Sequence, residues 1–503
     1  MNRRRTSAIA LTIAGGLVLA GCAGDAEPTS AEEVSAVIAL PAEPPGTDPI
    51  MTRSVAAWNI YYALYDGLTR IASDGTIEPG LATEWESSAD LTTWTFVLRD
   101  GVVFHDGTAV TADDIVATYE TILASPESTN RAAISMLSTV ESDDAGRVVF
   151  TLNNAYAAWP SMVGTIGIVP AVAYADADGR FAEAPVGTGP YKFVSQSAGV
   201  DYVVTRNDEY WGDAPEVADV TFAFVGAEDA RVTGVESGTL DIASIPASQV
   251  PVVEANPAVE VATAPGNQVA FLGINPAAAP LADVQIREAI ALAVDRDELT
   301  ANLLGGLATP TGQLLAEGVQ GNVADYPVPA ADLDAAAALV AGSDYDGTPI
   351  TLQYASSGGM SQAGDVAQAI AGTLTEIGLN IELAGTDQAT FSLALADHAV
   401  SGLYLNGWAP SVMDGDVVVS QLLAGGPEDY FGTPEMVELY STQQAAVGEE
   451  RDDVYRDIWA LNDANVQTVP LYANNYTYAI DPSFDWSPAA DGIFRVQDIR
   501  VAD

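Results

Sequence analysis

Residues 350–383 read ITLQYASSGGMSQAGDVAQAIAGTLTEIGLNIEL, and this stretch decides the fold class. Ile350, Leu352 and Tyr354 alternate with polar neighbours, the period of a strand with one buried face. After a Gly-Ser segment, Val366, Ile370, Leu374 and Ile377 recur at helical spacing up to Gly378, a residue suited to the left-handed position that ends a helix. Leu379, Ile381 and Leu383 then alternate again. A strand, a helix and a strand in so short a span make a βαβ unit, which predicts parallel pairing and a right-handed crossover. The fold class is therefore α/β.

The same periods continue outward in both directions. Thr93 to Leu98 places Trp94, Phe96 and Leu98 on one face of a strand, and Val102-Val103-Phe104 is expected to form a second strand after the turn Arg99-Asp100-Gly101. Asp106-Gly107 is a further turn, and Thr111 with Asp114 opens a capped helix carrying Ile115, Tyr119 and Ile122. Beyond Pro280, the residues Ile286, Ala289, Ile290, Ala293 and Val294 make one apolar stripe, with Asp295 and Glu298 capping a following helix. Val454, Ile458 and Leu461 lie on one helical face before Val469-Pro470-Leu471-Tyr472 leaves in extended form.

With 503 residues, two or three domains are expected, and 48% apolar residues suffice to bury their cores. Against 69 acids stand 18 bases, a net charge of −51. So acidic a surface repels phosphate backbones, which excludes nucleic acid as a partner. The acidity fits either a salty medium or a composition that disfavours Lys, of which Lys192 is the sole example. One cysteine forbids an internal disulfide, and two histidines leave little for a metal site. Neither a cofactor nor a metal is expected.

The amino terminus reads as a targeting segment. Arg3, Arg4 and Arg5 precede the apolar run Ala8 to Ala20, which is shorter than the roughly 20 residues of a membrane span. It ends in Leu19-Ala20-Gly21-Cys22, which resembles the lipobox of bacterial lipoproteins, whose Cys receives a diacylglyceryl group and becomes the mature terminus. Residues 1–21 are thus expected to be a signal peptide, and 22–33 a lipidated Cys22 with a flexible tether. The mature chain would stand outside the cell, anchored to the membrane by that lipid alone.

An ordered series of segments carries a second resemblance. It runs Tyr65-Asp66-Gly67-Leu68, Leu81-Ala82-Thr83-Glu84-Trp85, Phe104-His105-Asp106-Gly107, Pro185-Val186-Gly187-Thr188-Gly189-Pro190-Tyr191, Tyr210-Trp211-Gly212, Asp283-Val284 with Arg287, and Val469-Pro470-Leu471-Tyr472. In this order the chain resembles the extracellular solute-binding proteins of family 5, the peptide/nickel/opine class that serves ABC importers. The resemblance implies a two-lobed, periplasmic-binding-protein-like fold. Lobe I would comprise 34–75, 186–276 and 477–503, with an extra domain at 76–185, and lobe II 277–476. It also implies a non-enzymatic, monomeric receptor that closes on a short peptide and delivers it to an ABC permease with its ATPase subunits. A nickel chelate or an oligosaccharide is the alternative cargo, and a surface hydrolase the rival from another class.

The resemblance places the cleft-facing strand and loop at Leu403 to Asp416. Many members hold a ligand ammonium with an acid from this loop, but Ser411 occupies the first acidic position here. Asp414 is then the expected carboxylate and Asp416 the second choice, with Tyr404, Asn406 and Trp408 as neighbours. No Arg or Lys lies between Arg296 and Arg451, so any cation for a ligand carboxylate must come from elsewhere, such as Arg53. A neutral, zwitterionic or cationic ligand is therefore expected.

Other motifs read as structure. Gly187 to Lys192 lacks both the third glycine of GxGxxG and the ending of a P-loop, Ser361 is one residue out of register for a GxSxG elbow, and Asp344-Tyr345-Asp346-Gly347 lacks the glutamate of a calcium loop. His105 is expected to be structural and His398 a solvated loop residue.

Overall fold

The computed structural model describes residues 33–357 and 359–502. The expected signal peptide, Cys22 and nearly all of the tether lie outside the described residues. Val34–Asp503 forms one compact unit.

The βαβ unit is present as strand Ile350–Ser357, helix Ala363–Glu376 and strand Ile381–Asp387, with Ile350 opposite Ile381 in parallel register. Val366, Ile370 and Leu374 are buried, as their spacing predicts. Strand Leu403–Trp408 pairs in parallel on the other side of Ile350–Ser357. From there an 11-stranded mixed sheet continues through two long strands, Glu260–Ile274 and Thr468–Ile480, to Ile242–Ser244, Ser35–Leu40, Asp219–Phe224, Asp201–Arg206 and Tyr191–Ser197.

Strand alternation divides the interior into separate cores. Ala270, Leu272, Ile274, Leu403 and Leu405 face one core with Ile286, Ile290, Val366 and Ile370. Phe271 and Tyr404 point to the opposite face, onto Phe391, Leu395, Tyr455 and Trp459. Another core belongs to the other end of the sheet and gathers Ile38, Trp58, Tyr61, Tyr191, Phe222, Ile480 and Phe494. It continues into a 4-stranded antiparallel sheet ordered Ala82–Ser87, Thr93–Leu98, Val148–Leu152, Leu137–Ser142, where Phe96, Tyr119, Phe150 and Trp159 pack together. The chain is thus a two-lobed α/β protein.

The expected strand at Val102-Val103-Phe104 does not form. Val103 makes only an isolated bridge to Ala109, because Phe104 N–H reaches Thr108 O at 2.8 Å and Gly107, at φ +83, turns the chain back. The capped helices do form. Helix Ala112–Ala124 starts where the Thr111 N–H donates to the Asp114 carboxylate at 3.0 Å, and Asp283 accepts from Gln285 N–H at 2.9 Å to open Val284–Ala293.

Gly187-Thr188-Gly189 is a packing device. A Cβ on either glycine would collide with the backbone at Ala63 to Tyr65, where helix Val55–Leu64 ends. Thr188 Oγ1 donates to Asp66 Oδ2 at 2.8 Å, and Trp211 Nε1 and Tyr210 OH reach the same carboxylate at 2.9 and 3.2 Å. Burial pushes the Asp66 carboxyl up to about 6 despite these donors. His105 closes the turn: its Nδ1 accepts from Gly187 N–H at 3.2 Å while Nε2 donates to Gly189 O at 3.1 Å. That arrangement needs the neutral ring, and burial lowers its pKa to about 4. Gly189→Ala should therefore lower the unfolding free energy by about 1–3 kcal/mol in urea titration. An unchanged midpoint would contradict this role.

Candidate functional site

The two long strands are the main-chain link between the cores. Glu260 to Pro265 pairs with Asn475 to Ile480 beside the first lobe, and Val269 to Gly273 pairs with Thr468 to Ala473 within the second. Between them the register shifts, so Gly266, Asn267 and Gln268 lie outside the regular ladder. Asn267 is buried here. Its Nδ2 donates to Pro410 O at 3.1 Å, and its Oδ1 accepts from Tyr476 OH at 2.9 Å.

From the second lobe, strand Leu403–Trp408 delivers three of the residues singled out from sequence to one face. Tyr404, Asn406 and Trp408 all converge on Glu428, a residue that sequence reading missed. Asn406 Nδ2 donates to Glu428 Oε2 at 3.2 Å, Trp408 Nε1 to Oε1 at 3.4 Å, and Tyr404 OH to the Glu428 carbonyl at 3.3 Å. Burial raises the Glu428 pKa, while the donors from Trp408 and Asn406 oppose that rise. Tyr404 is buried, whereas Asn406, Trp408 and Glu428 are half-buried. Glu428 follows Gly425-Gly426-Pro427, a turn signal that carries no hint of a partner on a distant strand.

The two expected acids occupy a different environment. Asp414 is 0% exposed, and both its oxygens are taken by Arg451, with Nη1 to Oδ2 at 2.7 Å and Nη2 to Oδ1 at 2.8 Å. Asp414 Oδ1 also accepts the Asp416 N–H at 2.9 Å. Asp416 is buried too: Oδ1 accepts from Gln443 at 2.7 Å and Gln444 at 3.0 Å, and Oδ2 from Tyr156 OH at 3.2 Å. Burial raises its pKa, and the neighbouring Asp414 raises it further. In this structure Asp414 is wholly buried against Arg451, out of reach of a ligand ammonium. The pair instead pins the loop Ala409 to Gly415 so that its tip reaches the first lobe, where Val412 is wholly buried in that lobe's core.

Arg53 faces the same loop from the first lobe. Its guanidinium donates to Thr165 Oγ1 at 3.1 Å, to Asn130 Oδ1 at 3.5 Å and, across the lobes, to Ser411 Oγ at 3.4 Å. It also lies 5.0 Å from the Trp58 ring centroid. The structure thus brings Arg53 to the Trp408–Asp416 loop from more than three hundred residues away. His398 is exposed, held at φ +52 with its ring 4.8 Å from Tyr430. Ser361 is exposed in a turn. Asp346 Oδ1 accepts the Thr348 N–H at 2.9 Å, an ordinary turn. Among the described residues no group of His, Cys, Asp and Glu is arranged to hold a metal, and no helix is long and apolar enough to cross a membrane.

Residues 76–430 match the model of the bacterial extracellular solute-binding proteins, family 5 (middle region). The chain belongs to that family. It is 25% identical over 486 residues to a probable D,D-dipeptide-binding periplasmic protein of Escherichia coli, covering 92% of this chain and 93% of that protein. It is 24% identical over 369 residues to the nickel-binding periplasmic protein of the same species, covering 69% of this chain and 70% of the other. The ABC transporter substrate-binding protein CtaP of Listeria monocytogenes superposes with a TM-score of 0.85 at 24% identity, over 94% of this chain and 100% of its own. The protein is a substrate-binding component of the family 5 ABC importer type, and its task is binding for transport, not catalysis.

The Asp414–Arg451 pair sets a test of the loop's anchorage. Removing one member of a buried ion pair strands the other charge and typically costs about 3–5 kcal/mol. Arg451→Gln should lose stability on that scale in urea or thermal unfolding; a loss below about 1 kcal/mol would contradict the assignment.

Proposed function

We propose that this family 5 protein is a lipoprotein, anchored through Cys22, that captures a short peptide between two lobes and hands it intact to an ABC permease. Lobe I comprises 34–75, 186–276 and 477–503 with the extra domain at 76–185, and lobe II comprises 277–476. The observation that carries this reading is the meeting of polar groups from both lobes around the loop Ala409 to Gly415, beside two strands whose register breaks between the cores. Arg53 reaches Ser411 at 3.4 Å, and beneath the loop the buried Tyr156 reaches Asp416 at 3.2 Å, so polar groups of both lobes meet at this one loop. A solute touching both parts stabilises their approach by its differential affinity for the closed arrangement.

Within this cleft Arg53, Trp408, Asn406 and Glu428 are the proposed ligand contacts. Asp414 and Asp416 support the loop, and Tyr404 backs Glu428 from the core. Peptide cargo is favoured by the D,D-dipeptide named for the Escherichia coli relative. It is also favoured by the mixture of one cation, one carboxylate and several amides and hydroxyls, which suits a zwitterion with a hydrogen-bonding backbone.

Native mass spectrometry of the protein extracted from its host membrane tests both parts at once. The expected result is a chain beginning at Cys22 that carries a diacylglyceryl mass and retains an intact peptide. An unlipidated terminus would overturn the anchor. Conversion of added peptides to hydrolysis products would overturn the receptor.

A further inference from the structure

The chain spends its buried arginines carefully. Arg231 donates to the carbonyls of Ser244, Val225 and Gly226, Arg287 to those of Asn465, Leu281 and Ala282, and Arg296 to those of Pro470, Val294 and Pro329. Arg451 and Arg495 are neutralised by Asp414 and Asp491, each at 2.7 Å. In every case the guanidinium meets either a carboxylate or several backbone carbonyls, the partners that best offset its loss of water.

Arg53 has neither. Among the described residues no carboxylate lies within salt-bridge distance of it, and its guanidinium meets three neutral side-chain oxygens at 3.1–3.5 Å and the Trp58 ring at 5.0 Å. Arg53 itself is half-buried, and burial lowers its pKa to about 10. In a chain with 69 acids, a cation left without a counter-ion between two lobes marks a place where the missing charge arrives from outside.

We propose that Arg53 receives a single carboxylate of the ligand, with the Ser411 hydroxyl beside it donating to the same group. This inference rests on the reading of the cleft as a peptide receptor and adds the end of the peptide that is recognised. One guanidinium balances one negative charge. A dianion such as a phosphate monoester would bring a second charge with no partner. Ser411 is neutral and offers no carboxylate to a ligand ammonium, so the free carboxyl terminus, not the amino terminus, is the end read at this point.

The test uses two pools of di- to pentapeptides without Asp or Glu, identical except that one is amidated at the carboxyl terminus. Each is titrated into the solubilised full chain and read by native mass spectrometry and tryptophan fluorescence. A charge-assisted hydrogen bond of this kind is worth roughly ten- to hundredfold in affinity, so free acids should bind tighter than amides by that factor. The gap should shrink to within about twofold in Arg53→Gln and return in part in Arg53→Lys, whose charge lacks the planar fork. Equal binding of acids and amides by the unaltered chain, or a gap that persists in Arg53→Gln, overturns the inference and leaves the receptor reading standing. Binding of neither pool overturns the peptide reading and the inference with it. If Arg53→Gln does not fold, the acid–amide comparison on the unaltered chain still decides.

Discussion

The pairing of Glu260–Ile274 with Thr468–Ile480 is the constraint on which the rest of the architecture depends. These strands lie side by side through both lobes, so one continuous sheet carries two cores that otherwise share few elements. A regular antiparallel ladder resists shear along its length, and its stiffness falls where hydrogen bonds are missing. Here the ladder is interrupted over Gly266, Asn267 and Gln268. The interruption falls next to Pro410, to which Asn267 donates at 3.1 Å. A bend at that point would therefore act directly on the loop that reaches across to the first lobe.

That loop is held by buried charge. Asp414 and Arg451 fix its base, Asp416 gathers Gln443, Gln444 and Tyr156, and Val412 inserts at its tip into the core of the opposite lobe. Buried polar networks are costly when half satisfied, so a fully partnered one restricts the loop to few conformations. Trp408 and Asn406 stand just before the loop and hold Glu428. Rigid support below and a cation without a carboxylate partner opposite suit the selective cleft proposed here.

The sequence made the βαβ unit legible because period two, period 3.6 and a helix-ending glycine coincide in residues 350–383. The helix at Val284–Ala293 and the strand Thr93–Leu98 were legible for the same reason. Of the two long strands only the start of the second was legible, in the extended Val469-Pro470-Leu471-Tyr472; residues 269–274 of the first are buried on both faces and the apolar run shows no alternation. Val102-Val103-Phe104 looked like a strand locally, but a glycine turn returns the chain before pairing can extend. At the proposed site, Tyr404, Asn406, Trp408 and Arg53 were singled out by residue type and resemblance. The fate of Asp414 was not, because Arg451, its buried partner, lies 37 positions away on another element. Glu428 was hidden by the same cause, a tertiary contact with no periodic signature.

The account's central claim, that two lobes close on a solute about the interrupted pair of strands, is tested most directly by a distance measurement in solution. Cys22 is the chain's single cysteine, so Cys22→Ser gives a clean background for spin labels at Ser197→Cys and Glu376→Cys, one exposed position on each lobe. Pulsed-dipolar spectroscopy should give a broad or two-component distance distribution without solute and a single shorter component once the free-acid peptide pool is bound. One narrow distribution, unchanged by that pool at concentrations where native mass spectrometry detects bound peptide, would contradict closure.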